Sequence, residues 1–289
     1  MVVNSRAINR VFTRKVIQDL LKEGSNEVFD TVVKRYIVDP EGKTYGDLFS
    51  EIYLHLGREN RNEYYYTNTL LDKLLVGIHS VNTTTALSQV RINQHIADFV
   101  MINGTGRVYE IKSDLDNFDR LLDQIRDYYK AFSYVSVLTT IRDYEKVLNL
   151  INQMEDLGDS VGIYTLNKQN KFFSKKYKRE PKEFNDLLSH ESIFKILRKA
   201  EYESIITSYY NELPETTPVT HFRTYLGLFQ KIPILEAQKY AFIELKKRNK
   251  IEKAIFESIP KEMKSVIYFS NLSKHALNIE TLLKKEYKR

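Results

Sequence analysis

Apolar residues recur at spacings of three and four along the first 78 residues and again after residue 184. This period is typical of amphipathic helices that bury one face. Gly24 and Gly57 are predicted helix ends, Ser25 is a predicted cap, and Thr44 is the predicted start of the third helix. The pattern predicts four N-terminal helices, over residues 4–22, 26–36, 44–57 and 61–78.

The middle of the chain changes to short β-branched and aromatic runs separated by turn residues, which is the pattern of strands. A helix capped by Ser113 or Asp114 and reaching Phe132 is predicted after the third strand, and a helix over residues 143–157 after the fourth. Strands are predicted over residues 87–92, 96–102, 107–112, 134–139 and 161–166. From residue 61 the predicted order is α-β-β-β-α-β-α-β, which indicates an α/β (α+β) fold.

The 289 residues are enough for one large domain or two smaller ones. Helical periodicity returns after residue 184, in pieces broken by a proline-containing linker at 213–218 and by later prolines. The pattern therefore predicts three consecutive regions: an N-terminal helical region over 1–57, a mixed core over 58–184 and a C-terminal helical region over 185–289.

The amino-acid composition excludes several kinds of site and activity. The chain has no cysteine, which excludes disulfides, zinc–thiolate sites and cysteine nucleophiles. It has no signal-peptide apolar stretch and no run near the ~20 apolar residues that span a bilayer. We therefore expect a cytoplasmic protein without a membrane partner. No phosphate-cradling glycine loop followed by lysine is present, so nucleotide hydrolysis is not indicated.

Basic residues are concentrated in two segments. Residues 168–182 carry seven basic side chains and one acid, with Phe172, Phe173 and Tyr177 between them. These aromatic rings either stack on nucleic-acid bases or anchor a solvated basic loop in the core, and the sequence leaves both interpretations open. Residues 239–289 carry 13 basic and 6 acidic residues, in a chain of net charge +6. Such a surplus is compatible with a polyanionic partner without requiring one.

Two apolar runs flank Gly104 and predict a β-hairpin. If the hairpin folds about Gly104, Asp98 lies opposite Glu110, and Lys112 points to the same face as Glu110. A turn centred between Gly104 and Thr105 would instead separate the two acids onto different faces. In the first register, opposed carboxylates repel each other. That register therefore predicts a cation between them, and a divalent metal beside the lysine is the natural candidate.

The element order and this hairpin resemble the PD-(D/E)xK nuclease superfamily, whose signature is an acid on one strand and Glu-x-Lys on the next. Here the signature is Asp98 followed by Glu110, Ile111 and Lys112, and Ala97 occupies the position where proline is usual. The resemblance covers roughly residues 58–140 and implies a restriction-endonuclease-like α-β-β-β-α-β core flanked by helical regions. It also implies that Asp98, Glu110 and the Ile111 carbonyl bind Mg²⁺ or Mn²⁺, and that Lys112 orients or activates the attacking water.

Two helical motifs extend the resemblance. Glu63 stands where many members place an additional metal ligand, and its spacing to Leu70 and Leu74 puts it on the predicted core-facing side. Gln124 and Tyr128 look like the Gln-x-x-x-Tyr motif of the RecB-like branch, which implies that they contact substrate or brace the site. A spacing of four places both on one helical face. The same stretch is similar to uncharacterised proteins of bacterial genomes and mobile elements.

Each of these residues also has a plainer interpretation. Glu110 and Lys112 would then be an exposed ion pair worth less than ~1 kcal/mol. Glu63 would be a solvent-facing acid favoured by the helix dipole. Tyr128 would be a core residue.

The resemblance implies a Mg²⁺-dependent deoxyribonuclease, an endonuclease, acting in phage defence or in a mobile element. RNA is the rival substrate. The alternative from another class is a non-catalytic or partner-activated module that keeps the nuclease-like fold and binds nucleic acid or protein. The C-terminal helices are the expected surface for a protein partner.

Overall fold

A computed structural model describes residues 6–59, 61–114, 116–167 and 176–288. Within these residues the chain folds as a mixed α/β protein with one five-stranded sheet and fourteen α-helices. The strands are β1 (Thr85–Ile92), β2 (His95–Asn103), β3 (Thr105–Ile111), β4 (Tyr134–Thr140) and β5 (Gly162–Leu166).

Five helices precede β1 along the chain, one lies on each side of β4, and seven follow β5. None of the described helices is both long and apolar enough to cross a membrane. The helices are α1 (Arg6–Val11), α2 (Arg14–Glu23), α3 (Glu27–Tyr36), α4 (Tyr45–Glu59), α5 (Glu63–Asp72), α6 (Leu121–Tyr129), α7 (Tyr144–Ile151), α8 (His190–Lys195), α9 (Lys199–Tyr210), α10 (His221–Phe229), α11 (Ile234–Lys246), α12 (Lys253–Ser258), α13 (Lys264–Phe269) and α14 (Ala276–Lys284).

The strands lie in the sheet in chain order, from β1 to β5. β1, β2 and β3 form an antiparallel meander, whereas β3, β4 and β5 run parallel. Parallel neighbours need a crossover connection, and α6 and α7 provide the two that this sheet requires. From α5 onward the observed order is the predicted α-β-β-β-α-β-α-β.

The chain divides into two compact units. One consists of Met1–Asn82, Ser113–Leu115 and Ile251–Arg289, and the other, called the sheet unit because it contains all five strands, consists of Thr83–Lys112 and Asp116–Lys250. This division differs from the three consecutive regions that the sequence predicts. The reason is that α5 packs with the end of the chain. The Asn68 amide donates a 2.7 Å hydrogen bond to the Lys261 carbonyl and accepts one from the Ser265 N–H at 2.8 Å.

Two glycines of the β2–β3 hairpin serve different purposes. Gly104 forms the turn with a φ of +72°, a conformation that costs glycine little. Gly106 lies within β3, where a Cβ would be 2.5 Å from the Phe242 ring and 2.7 Å from the Phe132 ring. These two rings stack with their centroids 5.4 Å apart. Gly106 is therefore required by packing of α11 onto the sheet rather than by the turn.

Three predicted helix starts or spans are wrong. The predicted helix over residues 4–22 is broken before α2, because Thr13 adopts an extended conformation. Asn26 caps α3 by accepting hydrogen bonds from two backbone N–H groups, so Ser25 is not the cap. The helix predicted from Ser113 or Asp114 begins only at Leu121. Asp114 instead accepts a hydrogen bond from Arg61, at 3.2 Å.

The predicted helix over residues 61–78 changes its pitch. A π-helical segment, Lys73–Ile78, follows α5, and the wider turn rotates the apolar stripe. Leu70, Leu71, Leu74 and Leu75 are buried as predicted, whereas Ile78 is 58% exposed. The other predicted boundaries shift by a few residues: α4 continues past Gly57 to Glu59, and α7 ends at Ile151 rather than at residue 157.

Candidate active site

The hairpin register is the one that folds about Gly104. Phe99 pairs with Tyr109, and Asn103 pairs with Thr105 on either side of the turn. This result confirms the register that sets Asp98 across from Glu110 and excludes the alternative that separates them. The two acids therefore lie at facing positions of neighbouring strands, at the end of the ladder furthest from the turn.

The Asp98 carboxylate accepts a hydrogen bond from β3 that a backbone carbonyl of β2 would accept in a regular ladder. Its Oδ2 accepts a hydrogen bond from the Ile111 N–H at 2.8 Å, just beyond the last regular pair, Phe99–Tyr109. In an antiparallel pair the N–H and the C=O of one residue point toward the same neighbouring strand. The Ile111 carbonyl is therefore directed to the β2 side as well, where the Asp98 carboxylate lies.

Glu110 is the centre of a buried polar cluster. Its Oε1 accepts hydrogen bonds from Lys112 Nζ at 3.0 Å and from Gln124 Nε2 at 2.6 Å. Its Oε2 accepts one from Tyr128 Oη at 2.7 Å. Lys112 Nζ also donates to Gln124 Oε1 at 2.9 Å, so the lysine, the amide and the carboxylate close a ring of contacts. Gln124 and Tyr128 lie on one face of α6, as their spacing predicts.

The interpretation of Glu110 and Lys112 as an exposed ion pair is wrong. Their side chains are only 3% and 10% exposed. Removing a charge from water is costly, and a buried carboxylate persists only when charge and hydrogen bonds compensate it. The cationic Lys112 and the two neutral donors Gln124 and Tyr128 provide this compensation. The contacts made by Glu110 are thus much stronger constraints than a surface salt bridge.

Tyr128 is both a core residue and a hydrogen-bond donor. The residue is fully buried, and burial together with the Glu110 carboxylate raises the pKa of its phenol. The hydroxyl therefore stays protonated and donates. A second acceptor, the Ile96 carbonyl, lies 2.9 Å from the same oxygen.

The oxygen donors fit a hard divalent cation. Asp98 and Glu110 supply two carboxylates at facing positions, and the Ile111 peptide lies on the Asp98 side of β3. Mg²⁺ is commonly bound by one or two carboxylates and completes its shell with water and substrate phosphate. Among the residues that the structure describes, no group of three or more His, Asp or Glu side chains is arranged to hold a metal. The fit therefore rests on two carboxylates and a carbonyl.

Glu63 belongs to the other unit. It is the first residue of α5, after Asn62, whose side chain accepts from the Tyr65 N–H at 3.0 Å. Glu63 is exposed, so its predicted place on the core-facing side is wrong: at the first turn of α5 the same face is open to solvent. Its role as an additional ligand stays a prediction.

Asp127 anchors the start of β2 through a contact that no pattern in the sequence indicates. The buried carboxylate lies 2.7 Å from His95 Nδ1 and 2.7 Å from Lys130 Nζ. Burial raises the pKa of Asp127, but hydrogen bonds from Lys130 and His95 outweigh it, and the net pKa is lowered. The contact ties the first residue of β2 to α6, the helix that carries Gln124 and Tyr128.

In the described part of the first basic segment, Tyr177 and Arg179 contact other parts of the fold. Tyr177 packs edge-on against Tyr144, with ring centroids 5.7 Å apart. The Arg179 guanidinium donates to the carbonyls of Val161 and Gly158, at 2.8 and 2.9 Å. For these residues the anchoring interpretation holds. Residues 168–175, which include Phe172 and Phe173, lie outside the described residues.

Fold and site together define a mixed α/β protein in which the β2–β3 hairpin and α6 form a buried cluster of carboxylate, lysine, amide and phenol. A family model described as Bacteriophage P4 protein cII matches residues 57–285. Because this match takes in most of the chain, the protein belongs to that family. No curated protein and no solved structure matches the chain. The matched region includes the whole sheet and the Glu110 cluster and leaves out α1, α2, α3 and most of α4.

Proposed function

We propose that the protein is a metal-dependent nuclease that hydrolyses DNA phosphodiester bonds. The observation that carries the proposal is the convergence of Lys112, Gln124 and Tyr128 on Glu110, on the strand next to Asp98. A carboxylate is costly to bury, and this one is buried with a lysine on the same strand face. A carboxylate with a lysine and two neutral donors beside it supplies the groups that phosphodiester hydrolysis can use.

The fold supports the same proposal. The order α-β-β-β-α-β, with an antiparallel meander followed by a parallel strand, is the order implied by the resemblance to the PD-(D/E)xK nucleases. The acid and the Glu-x-Lys signature lie on adjacent strands of that meander. We therefore propose that the segment from α5 to β4 is a nuclease core of this kind.

The side chains have distinct roles in the proposed reaction. Asp98, Glu110 and the Ile111 carbonyl would hold Mg²⁺ or Mn²⁺, which when bound polarises the phosphate and acidifies bound water. Lys112 orients the attacking water and stabilises the negative charge that develops on the phosphate oxygens. Gln124 and Tyr128 hold Glu110 and Lys112 in place and present polar groups to the substrate.

The substrate assignment rests on charge and setting. A net charge of +6, which comes from the C-terminal surplus of basic residues, is compatible with a polyanionic substrate. The family description refers to a bacteriophage protein, which supports a role in a mobile element, and the role in phage defence stays a prediction. That description names no activity, so the choice of DNA over RNA rests on the nuclease resemblance.

One observation favours the alternative of a non-catalytic or partner-activated module. Both oxygens of Glu110 already accept hydrogen bonds from protein donors. A metal would have to share or displace these donors, and a partner that docks on the C-terminal helices would then be the trigger. The two functions differ in whether the purified protein cleaves nucleic acid by itself.

The test is cleavage of single-stranded DNA, double-stranded DNA and RNA by the full-length protein, with Mg²⁺, Mn²⁺ or EDTA. The site variant is Asp98→Asn, which keeps an acceptor for the Ile111 N–H but loses the charge. Its control is Asp123→Asn, an exposed acid on α6. We expect metal-dependent DNA cleavage that only Asp98→Asn removes. Preferential RNA cleavage would change the substrate class, and no cleavage under any condition would reject an autonomous nuclease.

Glu63→Gln is expected to lower DNA cleavage by about 10–100-fold, the range seen when a supporting metal contact is lost. The chain offers a closely matched control. Glu27 is also an exposed first helical residue that follows an asparagine cap. Glu27→Gln removes the same helix-dipole interaction but should leave cleavage unchanged. Equal rates for both variants would assign Glu63 a structural role only.

A further inference from the structure

Gln89 has an unusual backbone conformation in the interior of β1. Its φ is +54°, in the left-handed region that side chains rarely adopt. The pairs on either side, Ser88–Phe99 and Val90–Ala97, belong to the regular ladder. The residue across the ladder from Gln89 is therefore Asp98, and this pair alone is missing between Thr85–Ile102 and Ile92–His95.

Neither a bulge nor a turn explains this conformation. A β-bulge inserts a residue and shifts the register, but the register of β1 with β2 is the same on both sides of Gln89. The other described non-glycine residues with positive φ are all asparagine or aspartate and lie outside strands. Those residue types tolerate the left-handed region, whereas glutamine in a strand does so at a cost. They are Asp39, Asn93, Asn211 and Asn271.

The regular ladder is thus interrupted at Asp98 on the β1 side and ends just before Asp98 on the β3 side. On the β1 side, Gln89 departs from the extended conformation. On the β3 side, the Asp98 carboxylate itself accepts the Ile111 N–H at 2.8 Å. Gln89 is exposed, so its carboxamide lies at the surface of the sheet unit. The residue directly across the ladder from it is Asp98, a proposed metal ligand. Strained residues of this kind cluster at functional sites, where surrounding structure maintains them.

We propose that Gln89 contacts the substrate, donating a hydrogen bond from its carboxamide to a phosphate oxygen of the nucleic-acid backbone beside Asp98. The proposal rests on the proposed nuclease function and adds a substrate-contacting residue on β1, a strand to which the sequence assigns no site residue. Glutamine side chains are regular partners of phosphate groups in nucleic-acid complexes. The left-handed backbone determines where the side chain leaves the strand, which explains why the strain is kept.

The test compares Gln89→Gly and Gln89→Asn with wild type in kcat, KM and Tm. Glycine adopts a positive φ without strain, so Gln89→Gly should fold with a Tm equal to or above that of wild type. Loss of a hydrogen bond to a charged phosphate should raise KM by about tenfold or more. Gln89→Asn keeps an amide and tolerates the left-handed region, so its KM should lie between the two. Asn93→Gly, at a turn of the same strand pair, should leave KM unchanged.

The outcomes separate this inference from the nuclease proposal. Cleavage with a wild-type KM in Gln89→Gly would overturn the role of Gln89 while leaving the nuclease intact. A lowered Tm with a proportionate fall in kcat would identify a structural role and also overturn it. If wild type does not cleave, affinity for fluorescent DNA decides. A loss of about tenfold in Gln89→Gly would support the contact, and equal affinity or no binding by either protein would reject it.

Discussion

Glu110→Gln should abolish metal-dependent DNA cleavage and leave the protein folded. Glutamine has the shape of glutamate, so its amide oxygen can still accept from one side of the cluster formed by Lys112, Gln124 and Tyr128. The variant removes the negative charge that would hold the metal. We expect cleavage at the level measured without protein, assayed on the DNA substrate that wild type cleaves best.

Glu110→Ala is the less informative change, because it should also destabilise the sheet unit. It would leave the Lys112 ammonium, whose side chain is 10% exposed, without its anion. Removing one partner of a buried ion pair typically costs about 3–5 kcal/mol. Urea unfolding followed by circular dichroism should therefore show a clear loss of stability for the alanine variant and a smaller one for the glutamine variant.

Glu244→Gln is the matched control for Glu110→Gln. Glu244 is a buried glutamate of the same unit, and it accepts hydrogen bonds from Ser204 at 2.9 Å and from Lys247 at 2.5 Å. The Glu244→Gln substitution should lower the stability of the protein but leave its cleavage rate unchanged. Wild-type cleavage by Glu110→Gln would rule out the metal site at this hairpin. Equal losses in both variants would point to unfolding rather than to chemistry.

The part of the site that could be predicted from the sequence is the part that depends on local periodicity. Side chains alternate along a strand, so a turn at Gly104 determines which residues face each other across the hairpin. The positive φ of Gly104 and the pairing of Phe99 with Tyr109 confirm that reasoning. The four-residue spacing of Gln124 and Tyr128 succeeded for the same reason, because both reach Glu110 from one helical face.

Helix boundaries were harder to predict because neighbouring residues offer equivalent caps. Ser25 and Asn26 are both good caps, and only the fold selects Asn26. Ser113 and Asp114 also look like a helix start, but Asp114 pairs with Arg61, more than fifty residues earlier. A contact between residues so distant in sequence leaves no trace in local propensity.

Helical spacing predicted the wrong side-chain burial at two kinds of position: where the helix changes from α to π geometry, and where its first turn is exposed to solvent. Ile78 should lie with Leu74 and Leu75 on one stripe, but the π-helical segment rotates it into solvent. Glu63 has the spacing of a core-facing residue and yet is exposed at the first turn. Gln89 and Asp127 gave no signal at all, because backbone strain and tertiary ion pairs are not encoded in hydrophobic periodicity.

Lys112→Met should lower kcat by about 10²–10³-fold while leaving the affinity for Mg²⁺ nearly unchanged. Methionine fills a similar volume, but it removes the charge that stabilises negative charge developing on the phosphate, and loss of one such group typically costs this much. Glu110 keeps its hydrogen bonds from Gln124 and Tyr128 in this variant. Its carboxylate therefore stays in place as a ligand, at a cost in stability like that of Glu110→Ala, because this variant also removes one partner of the buried ion pair.

Single-turnover cleavage at saturating DNA, measured across a titration of Mg²⁺, separates turnover from metal binding. Lys130→Met is the matched control, because Lys130 also pairs with a buried carboxylate of the sheet unit, that of Asp127 at 2.7 Å. It should leave kcat within about twofold of wild type, well short of the loss expected at Lys112. If Lys112→Met instead shifts the Mg²⁺ requirement and keeps its maximal rate, the lysine supports the ligands and does not act on the phosphate. A wild-type rate at every Mg²⁺ concentration would remove Lys112 from the mechanism, because a buried ammonium that close to Glu110 would then serve only to neutralise it.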